Sequence, residues 1–565
     1  MKRMILFTMC LAVVGGCQKA DSVATSSGVQ ADAKAFLDTY QKDFAELEKA
    51  SALASWEASN SGKEEDFAKT AAARLALKKF HSNPESYKTI QMLLADKDQL
   101  DPLEERSLTV AELAFLGNQL PAEMLEEMVT LSTQIEETFN TFRGELDGEK
   151  LTNNVLLEML AKEIDSARRK AIWETLKQTG AAVAPDLVKL AELRNKAAKQ
   201  LGYANYWELM IHLQEHDPKQ LLAIFDELQQ VTEEPYTEMK AQLDAELAER
   251  FGIPADQMMP WHYDNPFFQA APPSAAVDLD EFYKQMPKEK IVDLAVTFYD
   301  DIGLPIDEIV ARSDLYDREG KDQHAFCTDI DRSGDVRTLC NIKPTVNWMD
   351  TMLHEQGHAV YSVNIDRSLP FNLRDSAHIL TTEGIAMLFG ALASNPTWLI
   401  GYAGADPDRV AEVEAAILEQ RRREQLIFAR WAMVMLNFEK SLYEDPHQDL
   451  NTLWWDLVEK YQHVNRPASR DLPDWAAKPH FTIAPVYYHN YMLGELFAAQ
   501  LRHVLAGMAE HEGPTATLSF NGRKDFGTFL KENVFAPGTS GPWPEFVKNV
   551  TGEELTARYF AAEVK

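Results

Sequence analysis

Apolar residues recur at three- and four-residue spacing over nearly all of residues 33–250, and again from 345 to the end. That periodicity restricts the 565-residue chain to an almost wholly helical body, built from segments rich in Ala, Leu, Glu, Lys and Gln. Leu190, Leu193, Ala197, Ala198 and Leu201 form one such stripe, with Gly202 as its stop signal, and read as core. Residues 252–277 break the pattern with Pro254, Pro260, Pro266, Pro272 and Pro273, and read as an irregular connection between two lobes, roughly 33–250 and 277–565. One other interruption stands out. Phe326, Thr328, Ile330, Val336 and Thr338 fall near alternate positions, and Ser333-Gly334-Asp335 supplies the turn of a small hairpin. Hydrophobic residues make up 45% of the chain, enough for a sizeable core. The net charge of −32 argues against nucleic acid, whose phosphates need a basic surface.

The first residues read as an address rather than a fold element. Lys2 and Arg3 precede an apolar stretch, Met4–Val14, too short to anchor stably in a bilayer. It ends in Val14-Gly15-Gly16-Cys17, which resembles a bacterial lipoprotein signal. The resemblance implies removal of residues 1–16, lipid on Cys17, and a flexible Ser-, Ala- and Asp-rich tether over 17–32. Gln18 in place of Asp implies an outer-membrane lipoprotein facing the periplasm, touching the membrane through that lipid alone. The remaining cysteines, Cys327 and Cys340, are then expected to form a disulfide across the open end of the hairpin.

The segment that carries chemistry is His354-Glu355-Gln356-Gly357-His358. Two histidines four apart share one helix face, about 6 Å of rise apart, so both imidazoles reach one tetrahedral metal. Glu355 points beside them, placed to take a proton from the attacking water and pass it to a leaving amine. Gly357 costs roughly 1 kcal/mol in a helix relative to Ala and signals a close neighbouring backbone. The metzincin continuation is excluded, because Tyr361 and Asn364 stand where Gly and His are needed. A third ligand is available in Thr381-Thr382-Glu383-Gly384-Ile385-Ala386, an apolar helix with one acid in its pattern. An isolated acid there is costly unless paired or bound to metal. With 24 residues between His358 and Glu383, one helix can end and another return. His354, His358 and Glu383 thus form the expected zinc set, one ion per chain, with His378 as the rival third ligand.

Here the chain resembles the peptidyl-dipeptidase A family, bacterial relatives of angiotensin-converting enzyme, with thimet oligopeptidase and oligoendopeptidase F as cousins. The resemblance spans nearly all of residues 33–565. Its other marks are Ser55-Trp56-Glu57-Ala58, Leu193-Arg194-Asn195-Lys196-Ala197-Ala198, and Trp454-Trp455 before Lys460-Tyr461-Gln462. It implies a mostly helical zincin of the gluzincin type, two-lobed around a deep cleft with zinc at its floor. It also implies roles for Lys478-Pro479-His480 and Tyr488-His489-Asn490-Tyr491. By that match His480 and Tyr491 donate to the substrate carbonyl and the tetrahedral oxyanion, and Lys478 and Tyr488 hold a substrate C-terminal carboxylate. One residue is inserted between the His and Tyr marks, so Tyr487 competes for either tyrosine role. The chain departs from the family at Met387, where an Asp commonly bonds a zinc histidine. That leaves Asp350, one turn before His354, as a candidate replacement. Asn490 stands where animal relatives place a chloride-binding Arg.

The expected activity is zinc-dependent release of C-terminal dipeptides from short peptides. The alternatives are an oligoendopeptidase that needs no free C-terminus, and an inactive helical binding protein. The intact Glu355 argues against the last. A gluzincin aminopeptidase is unsupported, since no Gly-x-Met-Glu-Asn type motif precedes the zinc-helix segment.

Overall fold

A computed structural model describes residues 23–274 and 276–565. The expected mostly helical architecture is what it shows, interrupted only by two small antiparallel hairpins among the described residues. The long helices follow ordinary end chemistry. In α1 (Ser166–Gln200) the Asp165 carboxylate accepts from the Arg168 N–H, capping an exposed donor. In α2 (Pro218–Phe251) Asp217 caps the start, Pro218 opens it, and Gly252 in the left-handed region ends it. Among the described residues of 255–282 the regular elements are short 3₁₀ turns, as the proline-rich sequence requires.

Gly144–Leu146 and Glu149–Leu151 form a hairpin that the helical periodicity of this region conceals. Its turn is Asp147-Gly148, both with positive φ (54° and 84°), the pattern of a tight two-residue hairpin. The second hairpin is the expected one: β1 (Phe326–Asp329) pairs with β2 (Val336–Leu339).

The expected Cys327–Cys340 disulfide is absent; both side chains are free thiols. The register explains this. Cys327 lies opposite Thr338, which leaves Cys340 as its diagonal neighbour. Diagonal partners have Cα atoms about 7–8 Å apart, beyond normal disulfide reach. Residues 1–22, including Cys17, lie outside the described residues. The segment read as a tether is helical from Val23, the first residue of a helix that continues to Ser61.

Three helices form the centre: α3 (Val346–Val363), α4 (Ile379–Gly390) and α5 (His489–Met508). Their backbones meet at glycines. A Cβ on Gly357 of α3 would lie 2.9 Å from the Ala386 Cα of α4. One on Gly384 of α4 would lie 2.9 Å from the Gly494 carbonyl oxygen of α5, and one on Gly494 would lie 3.0 Å from the Glu383 Cβ. Around this centre runs a continuous apolar core drawing residues from Leu131 to Val564. A separate cluster, including Leu37, Tyr40, Phe44 and Phe115, packs the N-terminal helices together and reaches Phe371. No helix among the described residues is long and apolar enough to cross a membrane.

Gly357→Ala should destabilise the protein by about 1–3 kcal/mol through overpacking, although alanine is the better helix former by roughly 1 kcal/mol. A denaturant midpoint at or above wild type would show that the helices tolerate the extra methyl group.

Candidate metal centre

Helix α3 starts where the Thr345 hydroxyl accepts from the Trp348 N–H. The helix then carries His354 and His358 on one face, their rings 4.9 Å apart and nearly perpendicular. Helix α4 returns against it and delivers Glu383, whose Oε2 lies 3.9 Å from His354 Nε2. One ligand atom from each of His354, His358 and Glu383 lies within 4.8 Å of the others. The expected third ligand is therefore the residue brought to the pair.

The rival, His378, caps the start of α4. Its Nδ1 accepts from the Leu380 N–H at 3.1 Å, and its Nε2 contacts the Gln214 carbonyl oxygen at 2.7 Å, so both ring nitrogens are used. The expected partnership between Asp350 and a zinc histidine is also overturned. No hydrogen bond joins Asp350 to either imidazole among the described residues; His358 Nδ1 instead meets Thr382 Oγ1 at 2.7 Å. Asp350 Oδ1 faces Gly390, a turn further along the neighbouring helix.

The electrostatics suit a cation. Burial holds His354 down to about 4 and His358 well below the usual histidine range, so both imidazoles keep a lone pair free at neutral pH. Burial also raises Glu383 to about 7, partly offset by a hydrogen bond from Tyr487. Glu355 rises to about 8, first through burial and then through repulsion by Glu383, against a lowering contact from the Cys327 N–H on β1. Two neutral imidazoles and the Glu383 carboxylate form the donor set, and a divalent cation there relieves the repulsion between Glu383 and the poorly solvated Glu355 beside it. The residues fit the expected metal.

The other site residues come from residues 478–491, the stretch that leads into α5 and forms its first turn. Arg194 of α1 donates to the carbonyl oxygens of Phe481 (2.6 Å) and Thr482 (2.9 Å), fixing the turn that carries His480. This gives the Leu193–Ala198 mark a physical meaning. Among the described residues, His480 Nδ1 is buried without a partner, while its ring rests 5.1 Å from Tyr488. Lys478 is buried, and its Nζ donates to Gln269 Oε1 at 2.6 Å. The ammonium lies over the rings of Trp431 (5.2 Å) and Tyr488 (5.5 Å), and burial lowers its pKa to about 7. A cavity of about 520 Å³ opens beside it, lined also by Lys177, Gln269 and Asn140. The Tyr488 hydroxyl accepts from Trp431 Nε1 at 2.7 Å, which leaves its own proton to donate. Tyr491 stacks edge-on to both Tyr487 (5.1 Å) and Tyr488 (5.4 Å). Among the three tyrosines it is Tyr487 whose hydroxyl reaches Glu383, at 3.1 Å from Oε1. Asn490 is hydrogen-bonded at both amide atoms, by Oδ1 with His216 and by Nδ2 to Gln214.

Gln269 and Thr382 were not legible as site residues. Gln269 sits in the irregular proline-rich connection, where no periodicity marks an inward-facing side chain. Thr382 is one of two adjacent threonines before Glu383, and only the packing of α4 on α3 selects it.

Two imidazoles from one helix and a carboxylate from the next, with a second carboxylate beside them, define the site of a His₂Glu metallopeptidase. Residues 27–561 match the family model described as Angiotensin-converting enzyme, peptidase M2, and the chain belongs to that family. Among its relatives, angiotensin-converting enzyme of Bos taurus is 25% identical over 488 residues, covering 80% of this chain and 36% of the relative. That of Mesocricetus auratus is 24% identical over 414 residues, covering 68% and 31%. Carboxypeptidase 1 of Bacillus subtilis (strain 168) is 25% identical over 423 residues, covering 70% and 75%. The chain thus spans about a third of the length of these two mammalian enzymes.

Alanine at His354, His358 or Glu383 should each lower bound zinc below one ion per chain, whereas Glu355→Gln should keep full zinc and lose most hydrolysis. Elemental analysis with one quenched peptide substrate checks both. Stoichiometric zinc in Glu383→Ala would move the third ligand elsewhere.

Proposed function

We propose that this protein is a zinc peptidyl-dipeptidase that removes C-terminal dipeptides from short peptides. The carrying observation is the His354–His358–Glu383 cluster beside Glu355, in a chain that also buries an amine, Lys478, at the edge of a cavity. His354, His358 and Glu383 would hold the zinc, which when bound would supply Lewis acidity at the scissile carbonyl. Glu355 takes the proton of the attacking water and delivers it to the departing amine nitrogen. His480 and Tyr491 supply donors for the carbonyl oxygen as it gains charge. Lys478, with Gln269 and the free proton of Tyr488, binds the substrate's terminal carboxylate. The names of the mammalian enzymes and of the Bacillus carboxypeptidase support the same reading.

The N-terminal sequence supports a place in the bacterial cell envelope. We propose that the mature chain begins at a lipid-modified Cys17 and faces the periplasm from the outer membrane. Intact-mass analysis should find the lipid, and an unmodified mature N-terminus would refute it.

The dipeptidase reading is tested with matched free-acid and C-terminally amidated peptides. Amidation should cost about 1.5–3 kcal/mol, the worth of a charge-assisted hydrogen bond, or roughly 10- to 150-fold in kcat/KM. Lys478→Met should impair the acids similarly and leave the amides nearly untouched. The preference for acids should be largest below pH 7 and shrink as pH rises, because burial brings Lys478 to about 7 and its charged form is lost above that. Equal rates on both peptides, with cuts several residues from the C-terminus, would favour an oligoendopeptidase.

A further inference from the structure

Tyr487 competes with Tyr488 and Tyr491 for the roles of the family pattern, and the fold spends unusual backbone geometry on placing it. The preceding residue, Val486, has φ +54°. A β-branched side chain rarely adopts that conformation and holds it only when its surroundings over-determine it. Here they do. The Val486 N–H donates to Glu439 Oε1 at 2.8 Å, and its carbonyl oxygen accepts from Gln214 Nε2 at 2.8 Å. Glu439 is 4% exposed, and its carboxylate is turned on this one backbone N–H. Gln214 also ties the two helix ends on either side. Its backbone carbonyl meets His378 at the start of α4, and its Oε1 accepts from Asn490 in the first turn of α5. The strained turn is therefore bolted to both the helix bearing Glu383 and the helix bearing Tyr491.

The turn delivers the Tyr487 hydroxyl 3.1 Å from Glu383 Oε1, while Glu383 Oε2 faces His354. One carboxylate oxygen is held and the other is left facing the imidazoles. Gly494 closes the back of the same side chain, with no room for a Cβ against the Glu383 Cβ. Met387 provides no acid one turn beyond Glu383, and Asp350 bonds neither histidine. Thr382 on His358 is then the other hydrogen bond to a ligand side chain among the described residues.

We infer that Tyr487 is a positioning residue: its hydroxyl fixes the rotamer of Glu383 for the metal, at the end of a turn strained for that purpose, and the oxyanion role stays with its neighbour Tyr491. This inference rests on the reading of His354, His358 and Glu383 as the zinc site. Hydrogen bonds to metal ligands typically change affinity by 10- to 100-fold.

The test is Tyr487→Phe, which keeps the ring and its stack on Tyr491 and removes only the hydroxyl. Zinc dissociation constants are measured by chelator competition on wild type and variant, together with the thermal midpoint of each metal-free protein. The expected result is zinc binding weakened at least 10-fold with the metal-free midpoint unchanged. Equal zinc affinity would overturn the inference. If turnover falls while affinity is kept, Tyr487 acts on the substrate instead. Wild-type protein that binds no stoichiometric zinc would defeat the metal-centre reading itself, and this inference with it.

Discussion

Everything at the site depends on how closely three helices approach one another. Side chains from α3 can meet a carboxylate from α4 only if the backbones pack nearer than ordinary side chains allow. Gly357 removes the obstacle between α3 and α4, and Gly384 with Gly494 removes it between α4 and α5. The helix propensity lost at each glycine is small beside what the contact makes possible. The same proximity forces Glu355 and Glu383 together in a poorly solvated place, where each raises the cost of the other's charge. A site built this way stores repulsion that a divalent cation relieves, so the packing and the chemistry have one cause.

The substrate side of the site, as proposed, would use a different principle. Lys478 is buried among aromatic rings with one neutral partner, Gln269. An ammonium so placed is unstable when charged and alone, and gains most from a carboxylate arriving at the cavity. On the proposed reading such a pocket would discriminate between a terminal carboxylate and an amide more sharply than an exposed lysine, whose charge water already satisfies.

The errors of sequence reading have specific sources. The disulfide was inferred from a count of cysteines and an oxidising destination, but one strand register placed Thr338, not Cys340, opposite Cys327. Asp350, one turn away along α3, is in the sequence only a candidate partner for a zinc histidine; the contact that His358 makes is to Thr382 on the next helix. The hairpin at Asp147-Gly148 was hidden because its strands are three residues long, too short for a period-2 signal against helical surroundings.

The sequence by itself determined the helical class, the pairing of His354 with His358, the place of Glu355 and the need for an acid within the apolar pattern of α4. Each of these follows from the 3.6-residue period or from the cost of burying a charge, and both are local rules. Only the tertiary structure shows that Tyr487, and not Tyr488 or Tyr491, reaches Glu383, brings Gln269 to Lys478 and Thr382 to His358, and occupies both ring nitrogens of His378 with hydrogen bonds. Tyr487 and Glu383 are 104 positions apart, and adjacent tyrosines differ by the direction in which a single strained turn releases them. No local pattern encodes that direction. It is set by Glu439 and Gln214, which hold the Val486 backbone from elsewhere in the chain.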